Sequence, residues 1–308
     1  MTANAAPSSS TPSSRVLPLR GIRVLSLALN LPGPAAVMRL RAMGAQCTKL
    51  EPLAPPSLPT ADPMGLYKRA AYVEMHTGVK CVQADLKSSA GQTTLHRLLA
   101  RTDVLITSFR SSALHKLGLD WRKLHRAHPQ LCMVSIVGAG GARADEPGHD
   151  LTYLAENGLV PDLHLPATLY ADMGGSLLTT EAVLQALWLR ASPRRKGRGV
   201  FREVALSDAA AYLALPRHWG LTMPNGDVGG AHAGYRVYAC KNGRVAVAAL
   251  EPHFATRLCL AAGLPAEAAR AMHARQTHEA IARFLRTQTR AQLEKMAARD
   301  DVPLHTMA

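Results

Sequence analysis

Residues 22–51 read IRVLSLALNLPGPAAVMRLRAMGAQCTKLE, and the succession of patterns in that stretch decides the fold. IRVLSLAL (22–29) is an apolar run of strand length, as expected of a strand buried on both faces, and PGP at 32–34 closes it. AAVMRLRAMGA (35–45) switches to helical spacing, with Val37, Leu40 and Met43 on one face and Gly44 as the stop. QCTKLE (46–51) then returns to a strand pattern. Strand, helix and strand in this order form the basic unit of a parallel sheet.

The alternation continues outward. VKCVQADL and DVLITSF (103–109) read as strands separated by a helix around 90–102. A helix near 112–127, the strand LCMVSIV (131–137) and a helix at 175–190 follow. This predicts an α/β large domain over 18–195, with a Rossmann-like parallel sheet covered by helices on both faces. Ligands of such sheets collect at the carboxyl ends of the strands, so three loops stand out: NLPGP after the first strand, SFRSS around Arg110, and VGAGGARADEPGHD after the strand at 131–137. Neither a G-x-G-x-x-G fingerprint nor a P-loop is present, and Gly138, Gly140 and Gly141 read as a turn. From about residue 200 the texture changes. FREVALSDAAAYLAL leads into YRVYACKNGRVAVAAL, a hairpin signalled by Asn242-Gly243, and helical stretches run to 299. A smaller α+β domain is expected at 200–300, and residues 1–17, rich in Ser, Pro, Ala and Thr, read as a disordered tail.

Composition narrows the function classes. The chain has 308 residues, 47% of them hydrophobic, enough for one large or two medium cores. No apolar window is long enough for a membrane span, and the tail lacks the apolar stretch of a signal peptide. Five cysteines are scattered without a C-x-x-C pair, which points to reduced thiols in a cytoplasmic protein and to neither a disulfide framework nor a metal site. The formal charge of +14 favours polyanions, yet the basic residues are spread over the whole length. The one dense run, SPRRKGRG (192–199), reads as a solvated loop, and no nucleic-acid-binding signature accompanies it.

Read in order, LRGIRVLSL, LPGPAAVMRLRAMGAQCTKLEP, DLKSSAG, DVLITSFR, LGLDWRKL, GHDLTYLAENG, ADMGG and YRVYACKNGRVAVAALEPHF resemble the class III CoA-transferase and α-methylacyl-CoA racemase family. The likeness runs from about residue 17 almost to the end. It implies an acyl-CoA thioester as substrate, coenzyme A entering as part of that substrate, no prosthetic group and no metal. Racemase-like members carry His in a GHD-x-x-Y segment, Asp in an AD-x-GG segment and Glu before Pro-x-Phe; here these are His149, Asp172 and Glu251. The implied chemistry is proton exchange at the carbon α to the thioester. Inverting that carbon needs a base on one face and a proton donor on the other, which an imidazole and a carboxyl supply. Glu251 would orient the imidazole, and backbone N–H groups at Gly174 and Gly175 would meet the enolate oxygen. Lys49 and Arg110 would meet the phosphates or pantetheine of CoA.

The transferase members use the Asp as a nucleophile and usually lack the His, so His149 favours the racemase branch over CoA transfer. A CoA-binding homologue without activity is the third possibility. Each residue also has a plain structural reading: His149, Asp172 and Glu251 all stand where a helix cap is needed, and Asp150 would merely start the helix after His149. The resemblance further implies a homodimer, interlaced in the family. Residues 301–308 read as the truncated start of the segment by which family members return to the large domain.

Overall fold

The computed structural model describes residues 16–308, so the tail expected at 1–17 lies almost wholly outside the described residues. The chain divides into two compact units between Leu213 and Ala214. The first holds six strands, β1 (Arg23–Ser26), β2 (Gln46–Glu51), β3 (Lys80–Gln83), β4 (Val104–Thr107), β5 (Cys132–Val137) and β6 (Phe201–Ala205). They form one sheet in the order β3-β2-β1-β4-β5-β6, and every neighbouring pair is parallel. The helices of this unit are α1 (Pro32–Ala42), α2 (Pro63–Tyr67), α3 (Arg69–Met75), α4 (Ser89–Leu99), α5 (Ser111–Lys116), α6 (Trp121–Ala127), α7 (Asp150–Glu156), α8 (Tyr170–Ala191) and α9 (Leu206–Leu213). This is the doubly wound α/β architecture expected from the sequence.

Successive strand residues enter opposite cores, which is why the strands read as unbroken apolar runs. Val104, Ile106, Val134 and Ile136 pack with Val37 and Leu40 of α1 and Val183 and Ala186 of α8. Leu105 and Met133 pack on the other face with Leu95 and Leu99 of α4, Leu114 of α5 and Leu124 of α6. The chain winds outward from β1 through β2 to β3, then crosses back to β4. The strand order therefore reverses between β1 and β4, and the crevice outside the carboxyl ends at that reversal is the natural ligand site.

Several boundaries differ from the sequence-based expectation. PGP does not close the first strand but opens α1: Pro32 and Pro34 occupy its first turn, where no N–H is required. The helix expected at 112–127 is two, α5 and α6, separated where Gly118 takes φ +72° and Asp120 caps α6 by accepting from the Lys123 N–H (3.1 Å). The helix expected from 175 begins at Tyr170. FREVA, assigned from sequence to the small domain, is β6 of the large sheet, paired from Met133↔Phe201 to Val137↔Ala205. It lies at the sheet edge with Phe201, Arg202 and Glu203 exposed, so only Val204 and Ala205 of it are buried.

The second unit contains α10 (Leu215–His218), β7 (Tyr235–Cys240), β8 (Gly243–Ala248), α11 (Pro252–Ala261), α12 (Arg275–Thr287), α13 (Arg290–Asp300) and β9 (Leu304–Met307). Its antiparallel sheet runs β7-β8-β9. The hairpin turns on Lys241 and Asn242, one residue earlier than expected, because Gly243 already pairs with Cys240. Residues 301–308 do not start a return to the parallel sheet. Asp301 takes φ +52°, and β9 then pairs with β8 from Val247↔Leu304 to Arg244↔Met307. Val245, Val247, Leu258, Ile281, Leu285 and Leu293 fill the core between this sheet and α11, α12 and α13. All five cysteines are free, four of them buried and Cys81 exposed. Among the described residues no helix is long and apolar enough to cross a membrane.

Candidate active site

A cleft of about 190 Å³ opens at the reversal point of the sheet. Asn30 and Pro32 line it from the loop after β1, Ser108 and Arg110 from the loop after β4, and Gly138 from the loop after β5. His149, Tyr153 and Asp172 complete it from α7 and α8. His149 and Asp172, expected from sequence as catalytic residues, and Arg110, expected to meet CoA, therefore share one concavity.

The two helix starts that carry His149 and Asp172 are built differently from what their sequences suggest. His149 stands at the N-cap of α7 with extended backbone (φ −142°, ψ 169°). The bonds at that helix start run between the His149 backbone N–H and Thr152 Oγ1 (3.1 Å) and from the Thr152 hydroxyl to the His149 carbonyl (2.7 Å). The backbone and a threonine do the capping, which leaves the exposed imidazole to the cleft. Asp150 does more than start α7. Its side chain is buried, and Oδ1 accepts the backbone N–H of Asp172 (3.0 Å), fastening the first turn of α8 to the first residue of α7.

Asp172 is the third residue of α8 and only 9% exposed. Burial first, and the neighbouring charge of Asp150 second, push its pKa up to about 6. A carboxyl tuned to that value can hold or release a proton near neutrality, which an exposed aspartate cannot do. Tyr153 was quoted as part of the GHD-x-x-Y segment but given no role from sequence. Its hydroxyl lies so close to Gly138 and Gly148 that a Cβ at either position would collide with it. Burial and the charge of Asp172 raise its pKa, so the hydroxyl stays protonated as a donor in the cleft wall.

The remaining sequence assignments need correction or relocation. Lys49 does not reach a cleft: it is 1% exposed. Its ammonium has three donors, and three partners take them: Asp62, Glu51 (3.3 Å) and His76 Nε2 (3.0 Å). A phosphate could be met only by dismantling that cluster. Gly174 and Gly175 lie inside α8, past its first turn, so their N–H groups belong to the helix ladder and not to an oxyanion. A Cβ at Gly175 would strike Leu206, and one at Gly174 would sit 3.3 Å from the Ala209 Cβ; the pair serves the close packing of α8 on α9. Glu251 belongs to the second unit. It occupies the N-cap of α11 without a side-chain capping bond, so the plain capping role does not apply to it.

A second cleft, of about 510 Å³, lies along the carboxyl ends of β2, β3 and β4, lined by Leu50, Leu53, Lys87 and Phe109 among others. Phe109 faces this cleft while its neighbours Ser108 and Arg110 face the first. One loop thus separates an apolar hollow with a cation at its edge from the cleft lined by His149 and Asp172.

The family model described as CoA-transferase family III matches residues 19–308. The chain belongs to CoA-transferase family III. Within the family it is 32% identical to an alpha-methylacyl-CoA racemase of Mus musculus over 267 residues, 81% of this chain and 66% of that protein. It is also 32% identical to a succinate–glutarate CoA-transferase of Agrobacterium fabrum over 220 residues, 65% of this chain and 54% of that protein. The match thus spans somewhat less than two thirds of the racemase and about half of the transferase. Among solved structures, a CAIB/BAIF family protein from Brucella suis superposes with a TM-score of 0.77 at 24% identity, covering 96% of this chain and 85% of that one. This last likeness is one of fold. In this family III chain, sequence reading gave no role to Asn30 and Tyr153 and read Asp150 only as a helix start. All three were in view, inside the quoted NLPGP and GHD-x-x-Y segments, but only the folded chain shows where they converge.

Proposed function

We propose that this family III chain acts on acyl-CoA thioesters in the cleft between α7 and α8, and that its reaction is racemisation at C2 of a 2-methylacyl-CoA. One observation carries the reading: an exposed-edge imidazole and a buried carboxyl with a pKa of about 6 line the same concavity. In one direction neutral His149 takes the α-proton. The C–H bond breaks and its electron pair moves onto the thioester oxygen as an enolate. Protonated Asp172 then delivers its proton to the opposite face of the carbon, leaving a carboxylate and an imidazolium. The reverse direction exchanges the two roles, so no other reactant is consumed. Tyr153 and the cleft backbone stand where they can donate to the enolate oxygen. The second cleft suits the nucleotide of CoA, with Phe109 for the base and Lys87 for phosphate, while Arg110 faces the first cleft and would meet CoA from that side.

CoA transfer is the second reading, and the same buried carboxyl supports it. With a pKa near 6, about nine tenths of Asp172 is carboxylate at pH 7. That carboxylate could attack the thioester carbonyl, expel CoA as thiolate and form an anhydride. The thiolate would then attack the aspartyl carbonyl and release the acyl group as a free acid. Incubation with 2-methylacyl-CoA in deuterium oxide separates the two. Deuterium at C2 without any added acid supports racemisation. A CoA adduct on Asp172 in the mass spectrum, with no deuterium at C2, supports transfer. Neither signal across a panel of acyl-CoA esters would leave a chain that binds CoA without turning it over.

A homodimer is part of the same proposal. The α8 face carrying Leu177, Leu184 and Trp188 is exposed, Trp188 to 80%, and these residues recur at helical spacing along one side. Sedimentation of the intact chain and of Trp188→Asp tests it: a dimer reduced to monomer by the substitution supports the reading.

A further inference from the structure

Asn30 sits in the wall of the first cleft, and a single short segment grips it from both ends. Its backbone is left-handed, with φ +68°. Its N–H donates to Asp62 Oδ1 (3.1 Å), and its side-chain carbonyl accepts from the Tyr67 hydroxyl. Asp62 and Tyr67 are the two ends of α2, whose first turn Asp62 caps by accepting from the Met64 N–H (2.9 Å). With the carbonyl end of the carboxamide taken by Tyr67, the NH₂ end is what remains for the cleft. Burial, then the charges of Asp62 and Asp172, raise the pKa of Tyr67, which keeps it a donor.

The grip is anchored by buried charge. Asp62 is fully buried and paired with Lys49. Glu51, the second carboxylate on Lys49, accepts from the Thr60 hydroxyl (2.8 Å), the Tyr72 hydroxyl (3.1 Å) and Gln83 Nε2 (3.2 Å). The Tyr72 carbonyl accepts from His76 Nδ1 (2.6 Å), so His76 Nε2 is the acceptor facing Lys49. Every member has its partner, and a network satisfied in this way has one geometry.

We propose that Asn30 is a substrate-contacting residue, its carboxamide N–H donating to the thioester carbonyl oxygen of the acyl ligand, and that Lys49, acting through Asp62, positions it. This rests on the acyl-CoA reading above but not on the choice between racemisation and transfer. In both reactions negative charge gathers on that oxygen, and a donor in the wall of the cleft that Asp172 also lines can meet it.

The test compares three probes by calorimetry: 2-methylacyl-CoA, an S-alkyl-CoA thioether that lacks the carbonyl, and free CoA. The unmodified chain is expected to bind the thioester about tenfold more tightly than the thioether. Asn30→Gly keeps the positive φ and removes only the carboxamide. It is expected to erase that preference and slow turnover at least tenfold, with thioether and free CoA affinities within twofold of the original. Unchanged preference and turnover overturn the proposal. Lys49→Met is expected to lose the preference in the same way with free CoA binding intact; weaker free CoA binding with the preference retained would show instead that this lysine meets phosphate. Should Lys49→Met fail to fold, Tyr67→Phe, at a position 60% exposed, carries the test: loss of the preference supports the grip, and full retention overturns it. Absence of binding to all three probes by the unmodified chain would defeat the acyl-CoA reading itself, a result distinct from these.

Discussion

Two places in the first unit bury ionised groups, and they treat them in opposite ways. Around Lys49, one ammonium is surrounded by Asp62, Glu51 and a neutral His76, and each polar atom has a partner. Around Asp172, a carboxyl is buried with another carboxyl, Asp150, as its nearest charge, and its proton affinity rises in consequence. Burial with counter-charge fixes geometry; burial without it creates a group that changes protonation near neutral pH and opens onto a cleft. The sequence shows a lysine and an aspartate, each at the end of an apolar stretch, and nothing local distinguishes scaffold from chemistry.

The sharpest way to break the comparison is Asp172→Asn. Turnover is expected to fall by a factor of about a thousand or more, since proton transfer at this site loses its carboxyl. The same substitution should raise stability at high pH. The folded-state pKa of Asp172 lies above its unfolded value, so the group opposes folding fully above about pH 6. The penalty fades between 6 and 3.8 and is absent below. Its size is on the order of 3 kcal/mol. Melting curves should therefore place Asp172→Asn several degrees above the unmodified chain at pH 8, the gap closing toward pH 4. An equal gap at both pH values would show that the carboxyl is not desolvated as described.

Lys49→Met should do the reverse. It leaves Asp62 and Glu51 buried without their cation, which costs roughly 3–5 kcal/mol, read as a lowered denaturant midpoint at unchanged slope. A double substitution, Lys49→Met with Asp62→Leu, should recover part of that loss. If Lys49→Met left stability unchanged and only weakened CoA binding, the two regions would not differ in kind. The pH dependence sharpens the comparison further. Exchange in the direction that uses Asp172 as the acid should decline about tenfold per pH unit above 6.

What the sequence disclosed follows the same division. Interior strands were legible because both faces are buried: QCTKLE is β2 residue for residue. The edge strand β6 was assigned to the wrong unit, because it follows the polar run at 192–199 and only its last two residues, Val204 and Ala205, are buried. His149 and Asp172 were picked out through GHD-x-x-Y and AD-x-GG as quoted segments in order, and the structure lines one cleft with both. Lys49 was misread for a physical reason. What buries it is the stretch from Glu51 to His76, where two short helices and a loop carry no long periodic pattern, so no local cue announces a covered ammonium. Gly174 and Gly175 were misread because the helix start was placed at Gly175. Five residues of displacement turned a packing contact with Leu206 into a supposed oxyanion site.

The smallest effects belong to the loop that divides the clefts, and they test whether one ligand spans both. Ser108 and Arg110 face the acid–base cleft while Phe109 faces the apolar one, as alternation along an extended segment requires. If the CoA nucleotide lies against Phe109, then Phe109→Ala should weaken free CoA by about tenfold through lost stacking, with kcat for bound acyl-CoA nearly unchanged. Lys87, at the solvent edge, should matter less. Lys87→Gln is expected to cost only a few-fold in affinity at low salt, and the loss should shrink as salt screens an exposed charge. A large kcat effect from either substitution would mean that the apolar cleft takes part in the chemistry. The division between a cleft that holds the ligand and a cleft that transforms it would then have to be given up.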